Sequence, residues 1–124
     1  MTSLQALAPE RAPTLYFAAV AAFLHGNPEE SVRLAERAVA ADPGYAPTYD
    51  LVGAAYTRLE KVDLARRAFE RSLTFDAHDS SAYTNLGLLE LAAGNQTAAR
   101  GFFAEALWLT PDSATARQGL ARTR

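Results

Sequence analysis

Apolar residues recur along the chain at helical spacing, in stretches of about three turns separated by clusters of Gly, Pro, Asn and Asp. Read with start and stop signals, this pattern predicts helices near 13–25, 28–41, 47–59, 63–75, 80–93, 96–109 and 113–123. The clearest boundary is Gly26-Asn27-Pro28-Glu29-Glu30: glycine closes one helix, Asn27 caps the next, proline sits at its first position and Glu30 at its third. Gly94-Asn95 repeats the signal, whereas the stretch Arg58 to Asp63 lacks the glycine and points to Asp63 as the cap. The run LYFAAVAAFL at 15–24 is apolar nearly all round, as expected of a helix covered on both sides by upstream sequence, a second copy or a ligand. It is about half the length needed to span a bilayer, and His25-Gly26-Asn27 follows it where a signal peptide would carry small residues.

The helices fall into a repeat. Tyr49, Gly53, Tyr56, Ala65 and Phe69 recur 34 residues later as Tyr83, Gly87, Glu90, Ala99 and Phe103, and in reduced form 34 residues earlier as Leu15, Ala19, Ala22, Ser31 and Ala35. Pro9, Pro43 and Pro111 share one phase, with Ala77 in the remaining slot. Two short antiparallel helices cannot bury enough apolar surface alone, so each pair must stack on its neighbours. Gly53 and Gly87 lie mid-helix, where glycine costs about 1 kcal/mol relative to alanine. Close approach of the paired helix would offset that cost, with Ala65 and Ala99 as the small residues facing the glycines and Phe69 and Phe103 filling the space beside them.

An aromatic residue, then Leu or Val, Gly and Tyr, followed by Ala, Phe and Pro at these spacings resembles the tetratricopeptide repeat, and the resemblance spans residues 12–113. Unit three carries it as Tyr83, Leu86, Gly87, Ala99, Phe103, Ala106 and Pro111, with Glu90 where Tyr is usual. Unit two departs at Ser72 and Ala77, and unit one is the weakest. The resemblance implies an all-α fold: a right-handed superhelical solenoid of three helix-turn-helix repeats at 12–45, 46–79 and 80–113 with a capping helix at 114–124. Residues 1–11 read as the remnant of a preceding repeat's second helix or an N-terminal extension, because Leu4, Leu7 and Pro9 share the phase of Ala106, Leu109 and Pro111. The closing helix offers only Ala116, Leu120 and Ala121 to a core, and Arg122 and Arg124 complement its dipole.

In relatives the first helix of each pair lines a concave groove that holds a peptide or helix. Carried to this chain, that geometry implies a partner-binding surface of Tyr16, Phe17, Val20, Phe23 and Leu24, then Asp50, Leu51, Ala54, Thr57 and Arg58, then Ser81, Thr84, Asn85, Leu88 and Leu91. For Tyr16, Phe17 and Phe23, burial between repeats is the alternative to a place in the groove. Relatives that grip acidic C-terminal tails clamp the carboxylates with Lys, Arg and Asn. The matching phases here hold Tyr16, Val20, Leu51, Ser81 and Asn85, a single Asn without cations, so an apolar or amphipathic segment is the expected ligand.

Composition narrows the remaining possibilities. A net charge of −2 supplies no basic field for nucleic acid. The absence of cysteine removes thiolate metal sites and disulfides and is compatible with cytosol and periplasm; a cytoplasmic chain is the expectation, with a periplasmic one if this is part of a longer protein. His25 and His78 lie in turns without partners at metal-ligand spacing, and Asp79 or Ser80 reads as a helix cap. Arg66, Arg67, Arg71 and Arg100 read as a solvated face of the second helices. No acid, base, nucleophile and cofactor constellation assembles, so neither an enzyme nor a cofactor is expected. The functional expectation is a non-catalytic protein-protein interaction scaffold; the alternatives are a homotypic assembly module using the apolar first helix or groove, and an accessory domain of a larger enzyme.

Overall fold

A computed structural model describes residues 11–123. They form seven helices: α1 Ala12–Leu24, α2 Pro28–Ala41, α3 Ala46–Arg58, α4 Val62–Phe75, α5 Ser80–Ala92, α6 Gln96–Leu109 and α7 Ala114–Ala121. The predicted elements all appear, each within two residues of its expected ends. The reading of residues 1–10 as a remnant helix lies outside the described residues. Among those described, no helix is long and apolar enough to cross a membrane. Contacts divide the chain after Phe75 into two compact units, one holding α1–α4 and the other α5–α7.

The turn within each repeat is the same structure three times. Gly26 and Gly94 take left-handed φ values of 78° and 86°, donating from their amides to Phe23 and Leu91 carbonyls, while the next residues, Asn27 and Asn95, reach back to Ala22 and Glu90 carbonyls. This pairing of bonds satisfies the orphan carbonyls at the helix end and demands a left-handed residue at its apex. In repeat two Glu60 occupies that apex with φ 60°, and Glu60 and Lys61 make the equivalent bonds to Thr57 and Tyr56 carbonyls. The turn is thus built by the repeat even where its glycine is absent. One expectation is corrected here: α4 begins at Val62, so Asp63 is not the cap but lies in the first turn, paired with Arg66 at 2.9 Å.

The other caps follow the sequence reading in part. Asn27 accepts from the Glu30 amide at 3.3 Å, Asp79 from that of Ala82 at 3.1 Å, and Ser113 from that of Ala116 at 3.2 Å. Asn95 stands at the cap of α6, but its side chain donates instead to Glu90 Oε1 at 2.8 Å. Glu90 is buried at the position where the repeat usually carries tyrosine, and this bond partners its carboxylate.

Within each unit the cores show what the glycines are for. A Cβ at Gly53 would lie 2.5 Å from Cε1 of Phe69, and one at Gly87 2.6 Å from Cε1 of Phe103. The space beside each glycine is thus filled by the aromatic ring, as expected, and Ala65 and Ala99 are fully buried in the same cores. Phe103 is held from a second side, since a Cβ at Gly119 on α7 would stand 2.4 Å from the same ring. The closing helix thus contributes Ala116 and Gly119 as buried residues and Leu120 as a half-buried one, while Ala121 is exposed. Repeat one has no ring. Ala19 and Ala35 stand at the matching positions, and Leu51 from α3 packs against the cluster they form with Leu15, Leu34, Ala38, Val52 and Ala68.

One hydroxyl also links the two helices of each repeat. Ser31 donates to the Ala19 carbonyl at 2.8 Å, Ser72 to that of Ala46 at 3.2 Å, and Ser80 to that of Ala106 at 3.2 Å. Ser72 and Ala106 share a phase, as do Ala46 and Ser80, so repeat three makes the bond of repeat two in the reverse direction. The departure from the family pattern at Ser72 is thereby explained.

Gly53→Ala gains helix propensity of about 1 kcal/mol but drives a methyl into a ring that cannot yield, at an overpacking cost of about 1–3 kcal/mol. A net loss of stability is expected in urea denaturation. The same change at Gly101, which has open space on α6, should instead stabilise by about 0.5–1 kcal/mol. Glu60→Gly should raise stability by about 0.5–1 kcal/mol by relieving the left-handed apex, read as a higher denaturation midpoint with an unchanged slope.

Candidate functional site

The first helices of repeats one and two both lie in the first unit, and their side chains form the candidate surface. On α1, Phe17 and Leu24 are 64% and 72% exposed, while Tyr16, Val20 and Phe23 are half-buried. None of the three α1 aromatics belongs to the buried core. The helix predicted to be covered on both sides therefore presents two large apolar side chains outward. On α3, Asp50, Leu51 and Ala54 are half-buried and Thr57 and Arg58 exposed. Leu51 is committed to packing against the core of the first unit.

Two arrangements join these helices. At the C-terminal ends the Arg58 guanidinium lies 4.3 Å from the centroid of the Phe23 ring and donates to the Phe23 carbonyl at 3.4 Å. The one cation of this surface is thus held against α1. At the N-terminal ends Tyr16 meets Phe17 edge-on, with centroids 5.5 Å apart, and Tyr45 from the α2–α3 turn, with centroids 5.4 Å apart and planes at 88°. These three rings, with Ala12, Pro13 and Asp42, line a cavity of about 260 Å³. Asp42 closes α2, and its Oδ1 accepts from the Gly44 amide at 3.3 Å. Burial pushes the Tyr16 phenol above its ordinary value, and Tyr45 and the Asp50 carboxylate push it in the same direction.

In the second unit, Asn85, Leu88 and Leu91 on α5 are half-buried, Thr84 is buried and Ser81 exposed. Leu88 and Leu91 pack against the cluster of Ala99, Phe103, Ala106 and Ala116. Thr84 donates to the Ser80 carbonyl of its own helix at 3.0 Å. These residues serve their unit's interior more than the α1 residues do theirs.

Sequence reasoning missed Pro13, Asp42 and Tyr45, because the turn that carries the last two is remote in sequence from α1. It also missed a second cavity, of about 360 Å³, between α2, α3 and α4, floored by Val39, Tyr49, Val52 and Tyr56 and edged by Glu36, Arg67 and Arg71. Arg71 lies 5.9 Å from the centroid of Tyr49, so the arginines read as a solvated face partly cover aromatic surface. Burial raises the Tyr56 phenol, and Glu36 adds to the shift. Elsewhere Trp108 on α6 is 82% exposed. His25 and His78 are exposed in turns, and among the described residues no group of three or more His, Asp or Glu side chains could hold a metal ion.

No protein-family model matches the chain. The protein CTR9 homolog of Arabidopsis thaliana is 33% identical over 94 residues, which are 75% of this chain and 9% of that relative. The chain therefore spans only a small part of the length of the curated relative it matches. Among solved structures, the APC/C hetero-tetramer Cut9-Hcn1 superimposes with a TM-score of 0.91 at 22% identity, covering 95% of this chain and 24% of that one. MamA gives a TM-score of 0.87 at 20% identity over 94% of this chain and 68% of that one. The first TPR of Spaghetti (RPAP3), bound to the HSP90 peptide SRMEEVD, gives 0.87 at 21% identity over 90% of this chain and 89% of that one. With a 34-residue period, two units built on the same aromatic, glycine and alanine positions and a third in reduced form, and helix pairs that superimpose on these structures, the chain folds as a tetratricopeptide repeat protein.

Proposed function

We propose that the chain is a non-catalytic protein-protein interaction module that holds an apolar or amphipathic segment of a partner on the α1–α3 face of its first unit. The observation that carries this reading is the outward presentation of Phe17 and Leu24 beside the half-buried Tyr16, Val20 and Phe23. Exposed aromatic and aliphatic side chains grouped on one helix are the usual anchors of an amphipathic ligand. The Spaghetti neighbour, a repeat domain of the same fold, is bound to a peptide ending in Glu-Glu-Val-Asp. The face here is differently charged: its single cation, Arg58, is engaged with Phe23, and Asp50 adds a negative charge. A terminal carboxylate would be desolvated there without a free cationic partner, so an apolar or amphipathic segment fits better.

The test is selection of binders from a displayed random-peptide library, followed by calorimetry on the wild type and Phe17→Glu. Phe17 is largely exposed, so the substitution should leave the melting temperature unchanged while weakening the selected peptides at least about tenfold. Peptides that bind both proteins equally would overturn the reading. Light scattering run beside it separates the alternative, since a dimer abolished by Phe17→Glu would mean that a second copy covers this face.

A further inference from the structure

We infer that the cavity lined by Tyr16, Phe17, Tyr45, Pro13 and Asp42 is an aromatic cage for the cationic head of an arginine or methylated lysine side chain carried by the partner polypeptide. The inference deepens the peptide-binding reading, on which it rests for the partner, by naming the residue that anchors the ligand's end.

Three aromatic rings converge on one concave space, with Tyr16 at the centre and its neighbours both at edge-on angles. The rings brace one another edge to face, and each also borders the cavity. The face of an aromatic ring carries a negative quadrupole and attracts a cation within about 6 Å of its centroid, most strongly when water is removed. At about 260 Å³ the cavity is large enough for a guanidinium or a trimethylated ammonium and its adjoining methylenes.

The charges favour the same occupant. Asp42 stands in the lining, and among the described residues no Lys or Arg does. The Asp50 carboxylate on α3 also helps raise the Tyr16 phenol. Arg58 is committed at the opposite end of the helix pair. A cation gains from the Asp42 carboxylate in the lining, and an anionic occupant would be repelled by it. Guanidinium and methylated ammonium share the chemistry required: a monocation with weakly hydrated, flat or methyl-clad surface.

The cage is tested with capped amides of arginine, trimethyl-lysine and norleucine, titrated into the isotopically labelled chain and followed by NMR. The cationic amides should saturate shifts of Tyr16, Phe17 and Tyr45 with at least about fivefold tighter binding than norleucine. The stronger of the two identifies the head preferred. Asp42→Asn and Tyr45→Ala should each reduce that advantage at least about threefold, and both positions are exposed enough for the variants to fold. Equal binding of norleucine, no saturable binding of either cation, or undiminished cation binding in both variants would overturn the cage. Library peptides that bind the α1–α3 face without any cationic preference would overturn it while leaving the module intact. Cationic amides that bind where no peptide does would sustain the cage and overturn the peptide reading.

Discussion

The ring of a buried phenylalanine pressed onto bare glycine backbone sets the spacing of the helices on which everything else is arranged. Phe69 on Gly53, and Phe103 between Gly87 and Gly119, bring a second helix closer to its neighbours than any side chain at the glycine would permit. The glycine's cost in helix propensity is offset by that packing, because interiors tolerate neither a void nor a surplus methylene. Repeat one solves the same problem without a ring, using Ala19 and Ala35 and bringing Leu51 in from α3.

Similar exchange runs through the polar part of the structure. The left-handed apex of the turn is kept by Glu60 where the other repeats have glycine, because the bonds of Glu60 and Lys61 to the α3 carbonyls satisfy the helix end. The serine link is made by Ser72 in one repeat and by Ser80, from the other helix, in the next. Asn95 gives up capping to partner the buried Glu90. In each case the interaction is retained while the residue that supplies it changes.

The outer surface of α1 stands apart from these exchanges, with Phe17 and Leu24 exposed. Beside Phe17, Tyr16 and Tyr45 make their contact at the edge of the unit rather than in its core. The charge of this surface separates it from a carboxylate clamp. Its cation is bound to an aromatic ring and its carboxylates stand beside others, a polarity suited to a ligand with positive rather than negative ends.

The repeat period, the seven helices and the residues of the cores were legible in the sequence, because a 34-residue period and helical spacing are one-dimensional signals that local sterics turn directly into structure. The α1–α3 residues were legible as a set only through the family resemblance. What the tertiary structure alone decided were the pairings between residues distant in sequence. How closely the Phe69 ring approaches Gly53, that Gly119 completes the seat of Phe103, and that Tyr45 and Asp42 close a cavity with Tyr16 depend on helix separation and side-chain direction. A periodic pattern states which face of a helix is apolar, but which atoms meet across two such faces is fixed only when they are packed together.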